Sequence, residues 1–266
     1  MTRAKRSRRP PGVRTPATDV LAVRLNGYAE TSAIAVLLTE KRGLAHAVAK
    51  GAKRLSNGYR GPLDKCVLYS ARLGRRANEG LFHLHSASVR EAYPALRRDP
   101  ARFCAASLCL EVASDLMRDN EPHPELFKLT VFALKVLDRA PHTKVGLAAT
   151  LFLARAAELS GHTPEIESCV GCGGPLGDER PLLSATRGGV LHPDCGRGEP
   201  GAHSIAPETI ALLARFWHRP AAELLAEEPA PEELRALRLV LEEWLEHMLE
   251  RRFRAATPME RELARI

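Results

Sequence analysis

Two pairs of metal-type donors lie close together in this chain: Cys169-Val-Gly-Cys172 and, after 19 intervening residues, His192-Pro-Asp-Cys195. Zinc takes four thiolate or imidazole donors in a tetrahedron, and a C-x2-C turn offers two of them from one tight knuckle. The spacing is that of a zinc ribbon. It predicts a structural Zn2+ held by Cys169, Cys172, His192 and Cys195, with four protein ligands and no open position for a substrate. His162 and His203 are alternatives to His192, which is preferred because its spacing to Cys195 mirrors the first knuckle. A redox role for Cys169 and Cys172 would need a helix opening at the pair, and Gly173, Gly174 and Pro175 oppose one. Residues 165–203 hold too few large apolar side chains for a core of their own, so metal loss is expected to unfold them.

Nothing else in the chain points to catalysis. There is no Walker-type loop, no G-x-G-x-x-G and no H-E-x-x-H. The zinc-deaminase pattern fails as well, because no Glu lies two residues after His192 and Ser168 precedes Cys169. Asp115 and Asp119 have one-face helical spacing, and a solvated pair explains them. The expectation is a protein that is not an enzyme; a metal-dependent nuclease or deaminase would show turnover that a chelator abolishes.

Charge supplies the second functional signal. The first 98 residues carry 20 Lys/Arg against 6 Asp/Glu, and the remainder carries 19 against 26, within a net charge of +7. Such a sign-separated molecule meets polyanions with its basic part. The candidate phosphate contacts are Arg24, Lys41, Arg42, Lys50, Lys53, Arg54, Arg60, Lys65, Arg72, Arg75 and Arg76, and Tyr28 and Tyr59 could stack on unpaired bases. For each aromatic taken singly, core filling or loop anchoring is an equal reading. Binding through these groups is expected to tolerate any sequence and to weaken steeply with salt. The first sixteen residues, with six Lys/Arg, no acidic residue and three prolines, read as a disordered basic arm or a solubilising tail.

The elements that must hold these groups divide at about residue 95. Before it, Val20–Leu25, Ala33–Thr39, the Leu44/His46/Val48 alternation, Cys66–Leu73 and Leu81–Ser86 read as five short strands punctuated by glycines, with a hairpin turn at Lys41-Arg42-Gly43. Five such strands fit a small antiparallel barrel, first an OB-fold and second an SH3-like barrel, because a closed barrel leaves no edge to protect. After it, Phe103–Arg118, Glu125–Arg139, Lys144–Ser160, Pro207–Trp217 and Pro231–Phe253 show helical spacing with prolines at the boundaries. The stripe Leu234, Leu237, Val240, Leu241, Trp244, Leu245 and Met248 reads as core against the earlier helices. The expectation is an α+β chain: a basic arm over residues 1–17, an OB-fold-like nucleic-acid-binding barrel over 18–95, and an α-helical domain over 96–266 with a zinc-ribbon-like insertion at 165–203. Cys66, Cys104 and Cys109 read as core thiols rather than disulfide partners. No apolar run is long enough to span a membrane, so a cytoplasmic location is expected.

This combination resembles the RecO family of bacterial recombination mediators. The likeness rests on Val20-Leu-Ala-Val-Arg24 followed by Gly27-Tyr28-Ala29-Glu30, on Leu38-Thr39 and Gly43, and on Ala47 to Arg54. It continues through Cys169-Val-Gly-Cys172-Gly173, Gly188-Gly189-Val190 and Cys195. It covers the chain from about residue 18 onward. The family often has cysteine where this chain has His192, which leaves zinc in place but opens the ligand set. The resemblance implies a non-enzymatic DNA repair protein, nucleoid-associated, that binds single- and double-stranded DNA and anneals complementary strands. It implies work with RecR, sometimes RecF, to help RecA replace single-strand-binding protein. The other reading of the same composition is a zinc-ribbon RNA-binding or translation-associated protein, which competition between matched DNA and RNA strands would distinguish.

Overall fold

In the computed structural model, which describes residues 15–28, 30, 32–50, 63–74, 80–177 and 179–265, the chain opens on five strands that close on themselves. They are β1 (Thr18–Gly27), β2 (Ala33–Thr39), β3 (Gly43–Ala49), β4 (Val67–Gly74) and β5 (Phe82–Ala92), in the order β1-β2-β3-β5-β4. All pairings are antiparallel except β3 with β5, which is parallel and completes the closure. This is the OB-type barrel. The predicted arm falls on residues that lie largely outside the described ones.

The barrel interior is narrow, and its filling shows it. Ala33, Ala35, Ala45, Ala47, Ala49 and Ala71 line it together with Leu37, Tyr69, Leu73 and Phe82. In β3 the alternation therefore runs opposite to size: the alanines point inward, and Leu44, His46 and Val48 are half-buried outside. Small interior residues let five strands close around a few large ones.

The outer face of the barrel is also apolar on one side. Leu21, Val23, Leu38 and Leu68 leave the barrel and join the core of the helices, while their sequence neighbours Val20, Ala22, Leu37, Val67 and Tyr69 face inward. A strand buried on both faces reads as a continuous apolar run, which is why Val20 to Val23 has no polar member.

One register shift matters for function. Strict alternation would send Arg24 inward with Val20 and Ala22. Instead Ala22 pairs with Leu37 and Arg24 with Val36, with an irregularity between them. The extra residue changes the phase. Arg24 turns outward, and Leu25 packs on the barrel core.

After the barrel come α1 (Pro94–Arg98), α2 (Pro100–Leu116), α3 (Pro124–Arg139), α4 (Val145–Leu159), α5 (Pro207–His218), α6 (Ala221–Ala226), α7 (Pro231–Met248) and α8 (Ala256–Leu263). Prolines open α1, α2, α3, α5 and α7, at the position where a missing N–H costs nothing. Asp99 caps α2 by accepting the Arg102 N–H at 3.1 Å. α4 is buried nearly all round and forms the centre against which α2, α3, α5 and α7 pack.

Two expectations need correction here. α2 stops at Leu116, so Asp115 and Asp119 do not share a helix face. Asp115 is held by Arg251 at 3.0 Å. Asp119 sits beyond the helix, bridged to Gly43 and Leu44 and 3.3 Å from His46. The α7 stripe is also divided. Leu237, Leu241 and Leu245 face the helical core, but Trp244 joins Leu183, Val190 and Ile205 in a separate cluster, with Val240 and Met248 against it. That cluster belongs to the inserted segment between α4 and α5, where β6 (Leu182–Ser184), β7 (Gly189–Leu191) and β8 (His203–Ser204) form a small sheet in the order β7-β6-β8. α7 thus seats the insertion with one face and the bundle with the other, and the Trp244 indole N–H donates to the His162 carbonyl at 2.6 Å.

The β2–β3 turn is fixed to the helical part as well. The Leu44 N–H donates to the Arg118 carbonyl at 3.0 Å, and the Asn120 N–H donates to the Leu44 carbonyl at 3.1 Å. Gly43 has φ +65°, and a Cβ there would overlap the Glu121 carbonyl and come within 2.6 Å of the Arg118 carbonyl. Only glycine fits. Gly43→Ala is expected to destabilise the fold by about 2–4 kcal/mol, from left-handed strain plus backbone overlap. A urea unfolding midpoint unchanged from the parent would contradict this account of the turn.

Candidate metal centre and nucleic-acid interface

The two knuckles converge. Cys169, Cys172, His192 and Cys195 bring their donor atoms within 4.8 Å of one another, the one such His/Cys/Asp/Glu group among the described residues. Each arm is shaped by its own turn. The Gly173 N–H donates to the Cys169 carbonyl at 2.7 Å, and the Cys169 N–H to the Gly174 carbonyl at 2.9 Å, with Gly173 left-handed at φ +71°. The second arm leaves β7, and the Gly196 N–H donates to the His192 carbonyl at 3.0 Å. The arms are tied by the Val170 N–H to the Val190 carbonyl at 2.9 Å.

The donor geometry suits a tetrahedral ion. Zinc bonds of about 2.3 Å to sulfur and 2.0–2.1 Å to nitrogen place neighbouring donors roughly 3.5–3.8 Å apart. His192 Nδ1 lies 3.4 Å from Cys172 Sγ and 4.0 Å from Cys195 Sγ. The other ring nitrogen, Nε2, is 3.0 Å from the Pro175 carbonyl. A hydrogen bond there places the proton on Nε2 and leaves Nδ1 free as a donor, the outer-shell arrangement expected of a ligating histidine. Pro175 as that outer partner was not evident from the sequence, since its role depends on a carbonyl brought round by the Gly173-Gly174 turn.

The electrostatics favour thiolate. Burial raises the Cys169 thiol, but N–H groups of His192, Cys172 and Gly171 directed at it outweigh burial and bring it down to about 6. The Cys195 thiol is pushed up to about 11 by hydrogen bonding to Cys169 and then by burial. Without a cation, the cluster accommodates one thiolate readily and resists more. A divalent ion removes that resistance, which is why such sites bind metal and release protons together. The alternatives to His192 lie elsewhere: His203 is 3.8 Å from Glu243, and the His162 ring has its Nδ1 buried without a partner.

Among the described residues the predicted phosphate contacts fall into four places. Lys41 and Arg42 occupy the β2–β3 turn and line a pocket of ≈230 Å³ with Thr18 and Asn120; the Arg42 guanidinium lies 5.6 Å from the Phe82 ring centre. Lys50 ends β3 and Tyr28, 65% exposed, follows β1. The register Gly27–Ala33–Ala49 sets them on one edge of the barrel. Arg72 is exposed on β4. Arg24 and Lys65 lie together in a cleft at the seam between barrel and helices. Lys53, Arg54, Tyr59, Arg60, Arg75 and Arg76 lie outside the described residues.

Ion pairing is more frequent in the helical part than in the barrel, although Arg90 of the barrel is held by Asp19 and Arg98, Arg118, Lys128, Arg180, Arg187, Arg254 and Arg261 of the helical part have no ion-pair partner among the described residues. Arg155, Arg215, Arg219, Arg235, Arg238, Arg251 and Arg252 in the helical part are each engaged by a carboxylate. Arg24, Lys41, Arg42, Lys50, Lys65 and Arg72 of the barrel have no ion-pair partner among the described residues. Cys66 and Cys109 are buried, Cys104 is half-buried, and all three are free; desolvation pushes the Cys66 thiol up to about 12, as expected of inert core sulfur. No helix among the described residues is long and apolar enough to cross a membrane.

Comparison with known proteins agrees with this architecture. Residues 17–93 match the family model described as Recombination protein O N terminal, and residues 97–256 match Recombination protein O C terminal. The chain is 35% identical over 235 residues to the DNA repair protein RecO of Anaeromyxobacter sp. (strain K), spanning 88% of this chain and 92% of that protein. The DNA repair protein RecO of Rhodopirellula baltica is 31% identical, over 79% of this chain and 74% of its own length. That of Geobacter metallireducens is 30% identical, over 74% and 78%.

Purified protein is expected to hold one zinc per chain, and Cys169→Ser to lose it. Trp244 reports the consequence, because it packs on the insertion. In a Trp217→Phe background, chelation should shift Trp244 emission to the red as the segment around 165–203 loosens. Zinc-free protein with unchanged Trp244 emission would show that the metal does not hold this segment.

Proposed function

The chain belongs to the recombination protein O family of DNA repair proteins, and on that premise we propose that it is a non-enzymatic recombination mediator. In this reading it binds single- and double-stranded DNA and anneals complementary strands. With RecR, and with RecF as a further partner, it helps load RecA onto DNA coated with single-strand-binding protein, in the cytoplasm at the nucleoid. The barrel, residues 18–95, is the DNA-holding domain, preceded by a basic arm over 1–17. The helical domain, 96–266, offers its acidic surface to protein partners.

The observation that carries this reading is the distribution of unpaired cations. A guanidinium or ammonium with no carboxylate at ion-pair distance stays available to phosphate, and among the described residues six of the seven barrel Lys/Arg are of this kind, against seven of the twenty-one in the helical part. Contacts of this kind hold a backbone without reading bases, as strand pairing at any sequence requires. The metal cluster supports the non-enzymatic part. Zn2+ held by Cys169, Cys172, His192 and Cys195 would have all four positions filled by protein, and its contribution would be to fold the insertion.

Reversal of Lys41, Arg42 and Lys50 to Glu is expected to weaken binding to an oligo-dT strand by about 100-fold or more at 100 mM salt. Loss of three phosphate contacts should also flatten the dependence of log affinity on log salt by about 2. Fluorescence anisotropy over a salt series measures both. Annealing of complementary strands coated with single-strand-binding protein, with and without RecR, tests the mediator step. Unchanged affinity in the triple variant would remove the barrel from the DNA path.

A further inference from the structure

The seam between barrel and helices holds a cleft of ≈330 Å³ whose lining includes Arg24, Lys65, Phe103, Ser107, Glu111 and Arg254. The groups arrive from four parts of the chain. Arg24 is there because the β1 irregularity turns it out of the barrel. Lys65 is placed beside β1 by its bridge to Ala22. Phe103 and Ser107 stand one turn apart on α2, and Arg254 follows α7 in the approach to α8.

Three features distinguish this cleft chemically. None of Arg24, Lys65 and Arg254 has an ion-pair partner among the described residues. Glu111 is the one carboxylate of the lining, and it accepts the Ala255 N–H at 3.1 Å, so it is committed to the backbone. Phe103 is 41% exposed, although its place in the apolar spacing of α2 would put it in the core. Cations for a phosphate and an aromatic face for a base are what a single-stranded segment requires. A second cleft among the described residues, between α3 and α4, differs: its lining is apolar apart from Arg155 and Glu158, which pair with each other at 2.9 Å.

We propose that this seam is a binding site for unpaired nucleic acid, with phosphates on Arg24, Lys65 and Arg254 and a base against Phe103. It extends the strand path from the barrel onto the helical part and adds two residues, Phe103 and Arg254, to the groups that meet DNA. The inference rests on the proposed reading of the chain as a protein that binds single-stranded DNA.

The test uses full-length protein and a fluorescent oligo-dT. Phe103→Ala is expected to lower affinity about fivefold or more, the effect of losing one stacked base, while affinity for duplex stays within about twofold. Phe103→Tyr should restore the loss, and Arg254→Glu should weaken binding and flatten its salt dependence. Thermal unfolding controls for folding, and photocrosslinking from 5-iodouracil in the strand should label the peptide containing Phe103. Parent protein that binds oligo-dT alongside Phe103→Ala and Arg254→Glu variants that bind it equally well would overturn the assignment and leave the proposed function standing. Variants with intact DNA binding that lose only a protein partner would reassign the seam to a protein and overturn it too. Parent protein that binds no DNA would overturn the underlying reading, and this inference with it.

Discussion

Leu21, Val23, Leu38 and Leu68 point out of the barrel, and the arrangement of the molecule depends on their being covered. Each is buried in the core shared with the helices, and each such side chain contributes about 1.5–3 kcal/mol on leaving water. The barrel wall is therefore also the floor of the helical part. That shared layer fixes where α2 lies, and α2 in turn sets Phe103 and Ser107 opposite Arg24 and Lys65. Arg24 and Lys65 owe their shared cleft with α2 to these aliphatic residues.

The metal cluster plays the corresponding part at the far end of the chain. The insertion offers four buried aliphatics, Leu183, Val190, Leu191 and Ile205, and three of them take Trp244 from α7 to complete a cluster. Four buried side chains are a small core, so a metal cross-link through Cys169, Cys172, His192 and Cys195 would have much to do. Sulfur and imidazole donors at the tips of two turns replace the apolar layers that a segment of this length cannot build.

Much of this was legible in the sequence, and the reasons differ from residue to residue. The knuckles were legible because each donor pair is local: two residues between donors fix a turn, and a turn needs no tertiary context. The barrel was legible from five glycine-punctuated strands, and the helix starts from proline at the first helical position. What could not be read was phase and partnership. Strict alternation puts Arg24 inside the barrel, and only an irregularity opposite Leu37 and Val36 turns it out. Alternation likewise cannot say which face of β3 is inside, and the narrow interior chose alanine over leucine. The stripe on α7 was recognised as buried, but periodicity is silent on whether one neighbour or two do the burying. Phe103 reads as core from its spacing because an exposed aromatic and a buried one look alike in one dimension. Short helices such as α1, α6 and α8 repeat too few turns to leave a pattern.

The β2–β3 turn has a mechanical corollary. With Gly43 pressed against the Glu121 and Arg118 carbonyls and Leu44 bonded to the same stretch on both sides, the turn bearing Lys41 and Arg42 is bolted to the bundle rather than free to swing. A polymer lying across it meets a jig, not a pair of jaws. If strands pair on such a surface, as proposed, this turn would serve as a fixed frame of reference for them.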